Sequence, residues 1–155
     1  TLDLYPKVKG LQIMNDMGDY MFPAYRNQWI PDTPARRQAI ISTLRSWSPF
    51  SNSSPVEGIT RAISTFYQPG QKASIYVFGD DFLPGGSITQ VVQTVDRINQ
   101  PDADGDRLVR IHAVGFPVLF DLDPRFHESV YRFATLMREL AERNGGSFVG
   151  LNAYQ

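Results

Sequence analysis

The chain has no cysteine among its 155 residues, which excludes disulfides, a thiolate nucleophile and any cysteine-held metal, and leaves the redox compartment open. It also lacks an apolar run near the ~20 residues needed to cross a bilayer. Charge of either sign is in short supply: fifteen Lys and Arg against sixteen Asp and Glu give a net charge of −1. With acids and bases interspersed, neither nucleic acid nor an anionic membrane is an expected partner. Three catalytic signatures are missing as well: no Gly-x-Ser-x-Gly, no Walker loop and no dinucleotide fingerprint follows any strand-like run. Thr1 does not begin a secretory signal, and a start without methionine reads as a processed product or an excised piece.

What is present is the punctuation of an α/β protein. Residues Leu140 to Val149 read as a helix that stops on Gly145-Gly146 and passes straight into a short buried strand, with Gly145 taking the left-handed conformation that ends helices. Ala73 to Phe78 and Val109 to Val114 are two further runs of strand formers, each followed by glycine. Between them Ser87 opens a helix in which Ile88, Val91, Val92, Val95 and Ile98 recur at helical spacing. Strand, helix, strand, helix, strand predicts a parallel sheet with right-handed crossovers.

The first third is less regular. Gly10 to Asn15 reads as a strand, Asp16 to Asp19 as a tight turn with Gly18 at positive φ, and Tyr20 to Phe22 as the returning arm of a hairpin. Pro23, Pro31 and Pro34 punctuate a loop of about a dozen residues. Thr33-Pro34 opens a helix with Ile40, Ile41, Leu44 and Trp47 as its apolar face, ended by Pro49. Ser54-Pro55-Val56-Glu57 reads as a capping box with proline at the first helical position. Val56, Ile59, Ile63 and Phe66 form the stripe of that helix, and Pro69-Gly70 closes it. Phe126, Val130, Phe133, Met137 and Leu140 make a core-facing stripe on the last helix. No repeat, low-complexity tract or linker interrupts residues 1–155, so a single domain is expected.

Several polar groups invite a sharper reading than they support. Asp102, Asp104 and Asp106 around Gly105 suggest a calcium loop, but Arg107 occupies the sixth place and Ala113 the twelfth, where such a loop needs glycine and glutamate; a solvated turn is expected. Asp121 and Asp123, near Pro124, are expected to start a helix. His112 and His127 have no partner at metal-ligand spacing. Trp47 is expected in the core, and Tyr25 with Trp29 as an exposed aromatic pair.

The order of these segments resembles a von Willebrand factor A-type (vWA) domain. Asn52-Ser53-Ser54-Pro55-Val56-Glu57-Gly58 resembles the family's Gly-Gly-Thr-Pro loop, Tyr76-Val77-Phe78-Gly79-Asp80-Asp81 its strand ending in Thr-Asp-Gly, and Leu140 to Phe148 its closing helix-to-strand turn. The likeness covers about residues 8 to 152. It implies a doubly wound, mostly parallel sheet with helices on both faces, a three-layer Rossmann-like α/β/α domain. It also implies a metal-ion-dependent adhesion site (MIDAS) on the rim of the sheet, where magnesium is held by hard oxygen ligands and an acidic group from a partner protein completes the shell. Ser54 then falls on the threonine ligand and Asp80 on the aspartate ligand, with Ser53 and Asp81 beside them as ligand-binding residues. No catalytic residue is implied, and the expected function is non-enzymatic protein binding. The alternative is a metal-dependent hydrolase or transferase using Asp80 and Asp81.

The family's first metal loop, Asp-x-Ser-x-Ser, occurs nowhere in the 155 residues. In one alignment Gly10 to Phe22 is the hairpin of the family's second and third strands, Thr1 to Lys7 is the tail of the preceding helix, and the first strand lies upstream. In the other, Asp16 to Met21 is a degenerate form of that loop. Under the first, the domain is incomplete at its N-terminus and lacks its central strand. Either the two edges close on each other, or an upstream segment or a second chain completes the sheet.

Overall fold

The structure, a computed structural model, describes residues 7–83, 85–116 and 124–151. Its centre is a parallel sheet of β3 (Ala73–Gly79), β4 (Val109–Gly115) and β5 (Phe148–Gly150), in that spatial order. The α/β class expected from the alternating segments holds, and β3 and β4 run parallel in register from Ala73 opposite Val109 to Gly79 opposite Gly115. The described residues form four α-helices: α1 (Pro34–Leu44), α2 (Val56–Phe66), α3 (Ile88–Ile98) and α4 (His127–Arg143). None of the described helices is long and apolar enough to cross a membrane.

Successive right-handed crossovers in one direction along a sheet lay their helices on the same face. Accordingly Val91, Val92 and Val95 of α3 and Phe133, Leu136, Met137 and Leu140 of α4 join Ile59 and Ile63 of α2 in one core over Val109, Ile111 and Ala113. Ala73, Ile75 and Val77 of β3 border the same core. Strand residues alternate faces, so Phe78, Val114 and Val149 line up across the other side of the sheet, with Phe78 and Val149 about half exposed. The strand expected to be buried at the end of the chain is therefore an exposed edge: of β5, only Phe148 turns into the core.

The α4-to-β5 turn is built as its glycines suggest. Gly145 has φ +64, and the Gly146 N–H closes on the Ala141 carbonyl at 2.9 Å. A Cβ on Gly146 would lie 1.9 Å from the Ile111 carbonyl oxygen, so only glycine lets this turn press against β4.

The end of the sheet opposite its loops is fastened by two asparagines, each just past a helix. Asn99 follows α3 and Asn144 follows α4, and both are fully buried. The Asn99 side chain donates to the Val109 carbonyl and to the Asn144 amide oxygen, both at 2.7 Å, and accepts from the Val109 N–H at 3.3 Å. Asn144 donates in turn to the Leu140 carbonyl at 2.7 Å. Odd-numbered β4 residues direct their main-chain groups toward β5, as shown by Ala113 N–H on Ser147 and Leu151 N–H on Gly115. Because β5 does not reach Val109, Asn99 supplies there what a longer strand would.

The N-terminal third departs most from expectation. β1 (Gly10–Leu11) pairs antiparallel with β2 (Ile30–Pro31), inside the stretch expected to be loop. The hairpin arm Tyr20–Phe22 contributes only the Met14–Tyr20 bridge and the Met21 N–H bond to Ile13, although the turn forms with Gly18 at φ +84. Helix α1 starts on its Thr33 cap, whose hydroxyl accepts the Arg36 N–H at 3.2 Å. It ends at Leu44, well before Pro49, and its apolar face is a correction: Ile40 alone is buried, while Ile41 and Leu44 are exposed and Trp47 is half-buried beyond the helix end. The proposed Tyr25–Trp29 pair is not an exposed one. Trp29 packs its ring 4.4 Å from Phe66 of α2, and the Arg36 guanidinium lies 5.1 Å from the Tyr25 ring.

Candidate functional site

Helix α2 begins one residue later than the capping box predicts, with Pro55 rather than Ser54 at the boundary. The Ser54 hydroxyl meets the Glu57 carboxylate at 3.1 Å instead of a main-chain N–H. The free N–H of Gly58 in the first turn is taken by the Asp16 carbonyl. Orphan donors at a helix start need some partner, and here the 15–19 turn provides it from elsewhere in the chain. Gly58 permits the approach, since a Cβ there would lie 2.7 Å from the Asn15 carbonyl oxygen.

The Asp16 side chain organises the loop before α2. One carboxylate oxygen accepts from the Ser51 hydroxyl at 2.7 Å and the Asn52 N–H at 3.1 Å, with the Ser54 N–H at 3.5 Å. Ser54 N–H has a closer acceptor in the Asn52 amide oxygen, at 3.1 Å. Ser53 sits in the left-handed region at φ +54, which turns its carbonyl toward the loop after β3. There the Leu83 N–H donates to it at 3.2 Å. The sequence marked Asp16 as part of a tight turn and, in the second alignment, as the start of a degenerate metal loop; that its carboxylate organises the 51–54 loop was not expected.

The loop after β3 is held from below. Phe82 is 3% exposed, its N–H donates to the Ser129 carbonyl at 3.0 Å, and the Arg132 guanidinium lies 5.2 Å from its ring. Asp80 and Asp81 sit between β3 and this anchor, both half-buried. Partial burial, and secondarily the charge of Asp81, push the Asp80 carboxyl above its usual range. Ser53, Ser54, Asp80 and Asp81 therefore lie on two loops joined by the Ser53–Leu83 hydrogen bond, at the carboxyl end of β3. A cleft of about 240 Å³ opens beside them, lined by Ser54, Glu57, Phe82, Ser87, Gln90 and Val91 among others.

The donor set fits a metal only in part. Magnesium requires compact octahedral oxygen coordination and keeps several waters. The Ser54 hydroxyl is engaged with the Glu57 carboxylate, and one oxygen of the Asp16 carboxylate is committed to the 51–54 loop. Among the described residues no three His, Asp or Glu side chains gather where they would hold a cation.

The other polar groups take the plainer roles. The Asp102 carboxylate accepts the N–H groups of Asp104 and Asp106 at 3.1 and 2.9 Å, a turn with Gly105 at φ +86. His112 stacks on Tyr76 at 4.8 Å and meets the Ser147 hydroxyl at 3.1 Å. Asp121 and Asp123 lie outside the described residues.

No family model and no curated protein matches the sequence. Among solved structures the chain is similar to that of an aerotolerance-related membrane protein from Bacteroides fragilis carrying multiple mutations to serine. The TM-score is 0.48 and the identity 16% over 80% of this chain and 65% of that one, so the chain spans less than two thirds of its neighbour's length.

Proposed function

We propose that this chain is a non-enzymatic, protein-binding module of the vWA type, with its binding surface on the rim formed by the 51–54 and 80–83 loops. The observation that carries the reading is the Ser53–Leu83 hydrogen bond, which sets the two loops carrying Ser54 and Asp80 side by side at the carboxyl end of a parallel sheet. Ligands of open α/β sheets gather at that end. The metal site of this reading is partial: Ser54 and Asp80 contribute oxygens to a magnesium ion, Ser53 and Asp81 flank it, and an acidic side chain of the partner protein supplies a further ligand. With two protein ligands, magnesium alone binds weakly.

Calorimetric titration of the chain with magnesium tests this. The expected result is weak binding, in the millimolar range, that disappears in Asp80→Ala. Micromolar binding that survives Asp80→Ala would overturn it, as would turnover of generic phosphate or ester substrates that requires Asp80.

A further inference from the structure

Residues 50–53 of the rim have no hold of their own. None of them is buried, and Phe50 is 77% exposed. Among the described residues, their hydrogen bonds beyond the neighbouring Ser54 run to only two places, the 15–19 turn and Leu83. With no apolar anchor, the position of this stretch is set by those two attachments.

The turn is firm where the loop is not. Asn15 is 9% exposed, and its side chain takes the Asp19 N–H at 2.6 Å and donates to the Asp19 carboxylate at 3.3 Å. Two bonds seat the turn on α2: the Gly58 N–H on the Asp16 carbonyl at 2.6 Å, and Arg61 on the Gly18 carbonyl at 3.3 Å. The seat leaves no clearance. A Cβ on Gly58 would lie 2.7 Å from the Asn15 carbonyl oxygen, and one on Gly18 would lie 2.7 Å from Arg61 Cδ. From this seat the turn reaches the loop, through the Asn15 amide on the Phe50 carbonyl at 3.2 Å and the Asp16 carboxylate on Ser51 and Asn52.

The attachment continues across the rim. Ser53 holds φ +54, a conformation few residues other than glycine adopt. It is held there by Ser51, whose hydroxyl donates to Asp16 and accepts the Ser53 N–H at 3.1 Å. One carboxylate thus fixes the backbone that aims the Ser53 carbonyl at the Leu83 N–H. Phe82, the residue before, bonds to Ser129 of α4 instead. The loop after β3 therefore has two tethers, and only the one at Leu83 leads back to Asp16.

We propose that the 15–19 turn is a latch on the rim, with Asp16 as its positioning residue. Seated on α2, the turn holds residues 50–53 and, through Ser53, the Leu83 end of the loop after β3; lifted from α2, it releases both. A seat packed this closely has two discrete arrangements rather than a gradual one. The Met14–Tyr20 bridge ties the turn to the segment that follows β1, so a displacement of the N-terminal ribbon is passed to the rim. Coupling of this kind is reciprocal, and whatever orders the rim also seats the turn. The functional meaning of the latch rests on the rim being the binding surface proposed above, whereas the coupling itself does not, and its test uses no ligand.

Residue-resolved amide exchange on the ¹⁵N-labelled chain reads the coupling. Asp16→Ala is expected to speed exchange at Asn52 and Leu83 by about tenfold or more, while Phe82, bonded to Ser129, stays within about twofold. Gly58→Ala keeps Asp16 and every loop residue, suits a helix better than glycine, and lifts the turn through its clash with the Asn15 carbonyl. The same two amides are expected to speed up in it, again without Phe82. Faster exchange at Asn52 with Leu83 unchanged overturns the proposal, because Asp16 then orders only its own neighbours. Equal acceleration at Leu83 and Phe82 overturns it in favour of general loosening; should Asp16→Ala unfold, Gly58→Ala decides alone. A failure of magnesium to bind bears on the rim reading and leaves this contrast between Leu83 and Phe82 standing.

Discussion

Asn99→Ala should be among the most destabilising single substitutions in this chain. The side chain is fully buried and makes three hydrogen bonds: two to the main chain of Val109 and one to the Asn144 amide oxygen. Truncation leaves an N–H and two oxygens in an apolar surround, at about 1–3 kcal/mol for each buried group left unsatisfied. The N–H counts fully, while the two oxygens count at the low end, since under-satisfied oxygens are better tolerated. The expected loss is about 3–5 kcal/mol, a large part of the ~5–15 kcal/mol stability of a typical domain. Urea unfolding followed by circular dichroism measures it as a fall in midpoint at unchanged slope. A double-mutant cycle with Asn144→Ala isolates the amide-to-amide bond, for which a coupling of about 1 kcal/mol is expected. Amide exchange at Val109 should accelerate in Asn99→Ala even where the global fold persists. A loss below about 1 kcal/mol, with Val109 exchange unchanged, would refute the claim that Asn99 acts as a substitute strand.

Three other substitutions test the turn and the acid response. Gly146→Ala puts a methyl group 1.9 Å from the Ile111 carbonyl oxygen and should cost on the order of 3 kcal/mol or more with loss of β5 pairing, whereas Gly145→Ala, at φ +64 with only Arg110 Cγ at 4.0 Å, should cost about 1 kcal/mol; similar losses in urea unfolding would show that the close approach is not what selects glycine. Asp32 accepts from Arg37 at 2.6 and 2.8 Å and from the Val8 N–H at 2.8 Å, which lowers its carboxyl from 3.8 to about 2. A lowered folded-state value stabilises above the unfolded one, so this contribution is present above about pH 4 and is lost as pH falls toward 2. Asp32→Asn should unfold with a weaker pH dependence over that window, and parallel acid curves for the two proteins would sink the assignment.

Much of the α/β half was legible because its signals are local. Ser87 caps α3 through the Gln90 N–H, the valines of that helix repeat on one side, and Gly145-Gly146 permits a turn nothing else fits. The N-terminal third was harder because its structure is set by distant contacts. No periodicity announces that Ile30–Pro31 pairs with Gly10–Leu11, or that the Asp16 carbonyl, rather than the Ser54 hydroxyl, occupies the first turn of α2. Ser54-x-x-Glu57 has the spacing of a reciprocal cap, but Pro55 ends up at the helix boundary and the two side chains turn to each other. On α1 the apolar residues Ile41 and Leu44 have the right spacing and no surface to meet among the described residues. At the rim, sequence order correctly placed Ser54 and Asp80 on neighbouring loops. It gave no hint that Asp16 would spend its carboxylate on Ser51 and Asn52.

The two amide side chains behind α3 and α4 divide the labour of the molecule along the strand direction. The tail of the sheet is fastened by fully buried side-chain amides, while the opposite rim hangs from a few main-chain bonds, the Asp16 carboxylate and an aromatic plug at Phe82. Asp80 and Asp81, between β3 and that plug, are thus open to replacement without disturbing the fastening. A scaffold so arranged can acquire new recognition by altering one end while its folding information stays at the other.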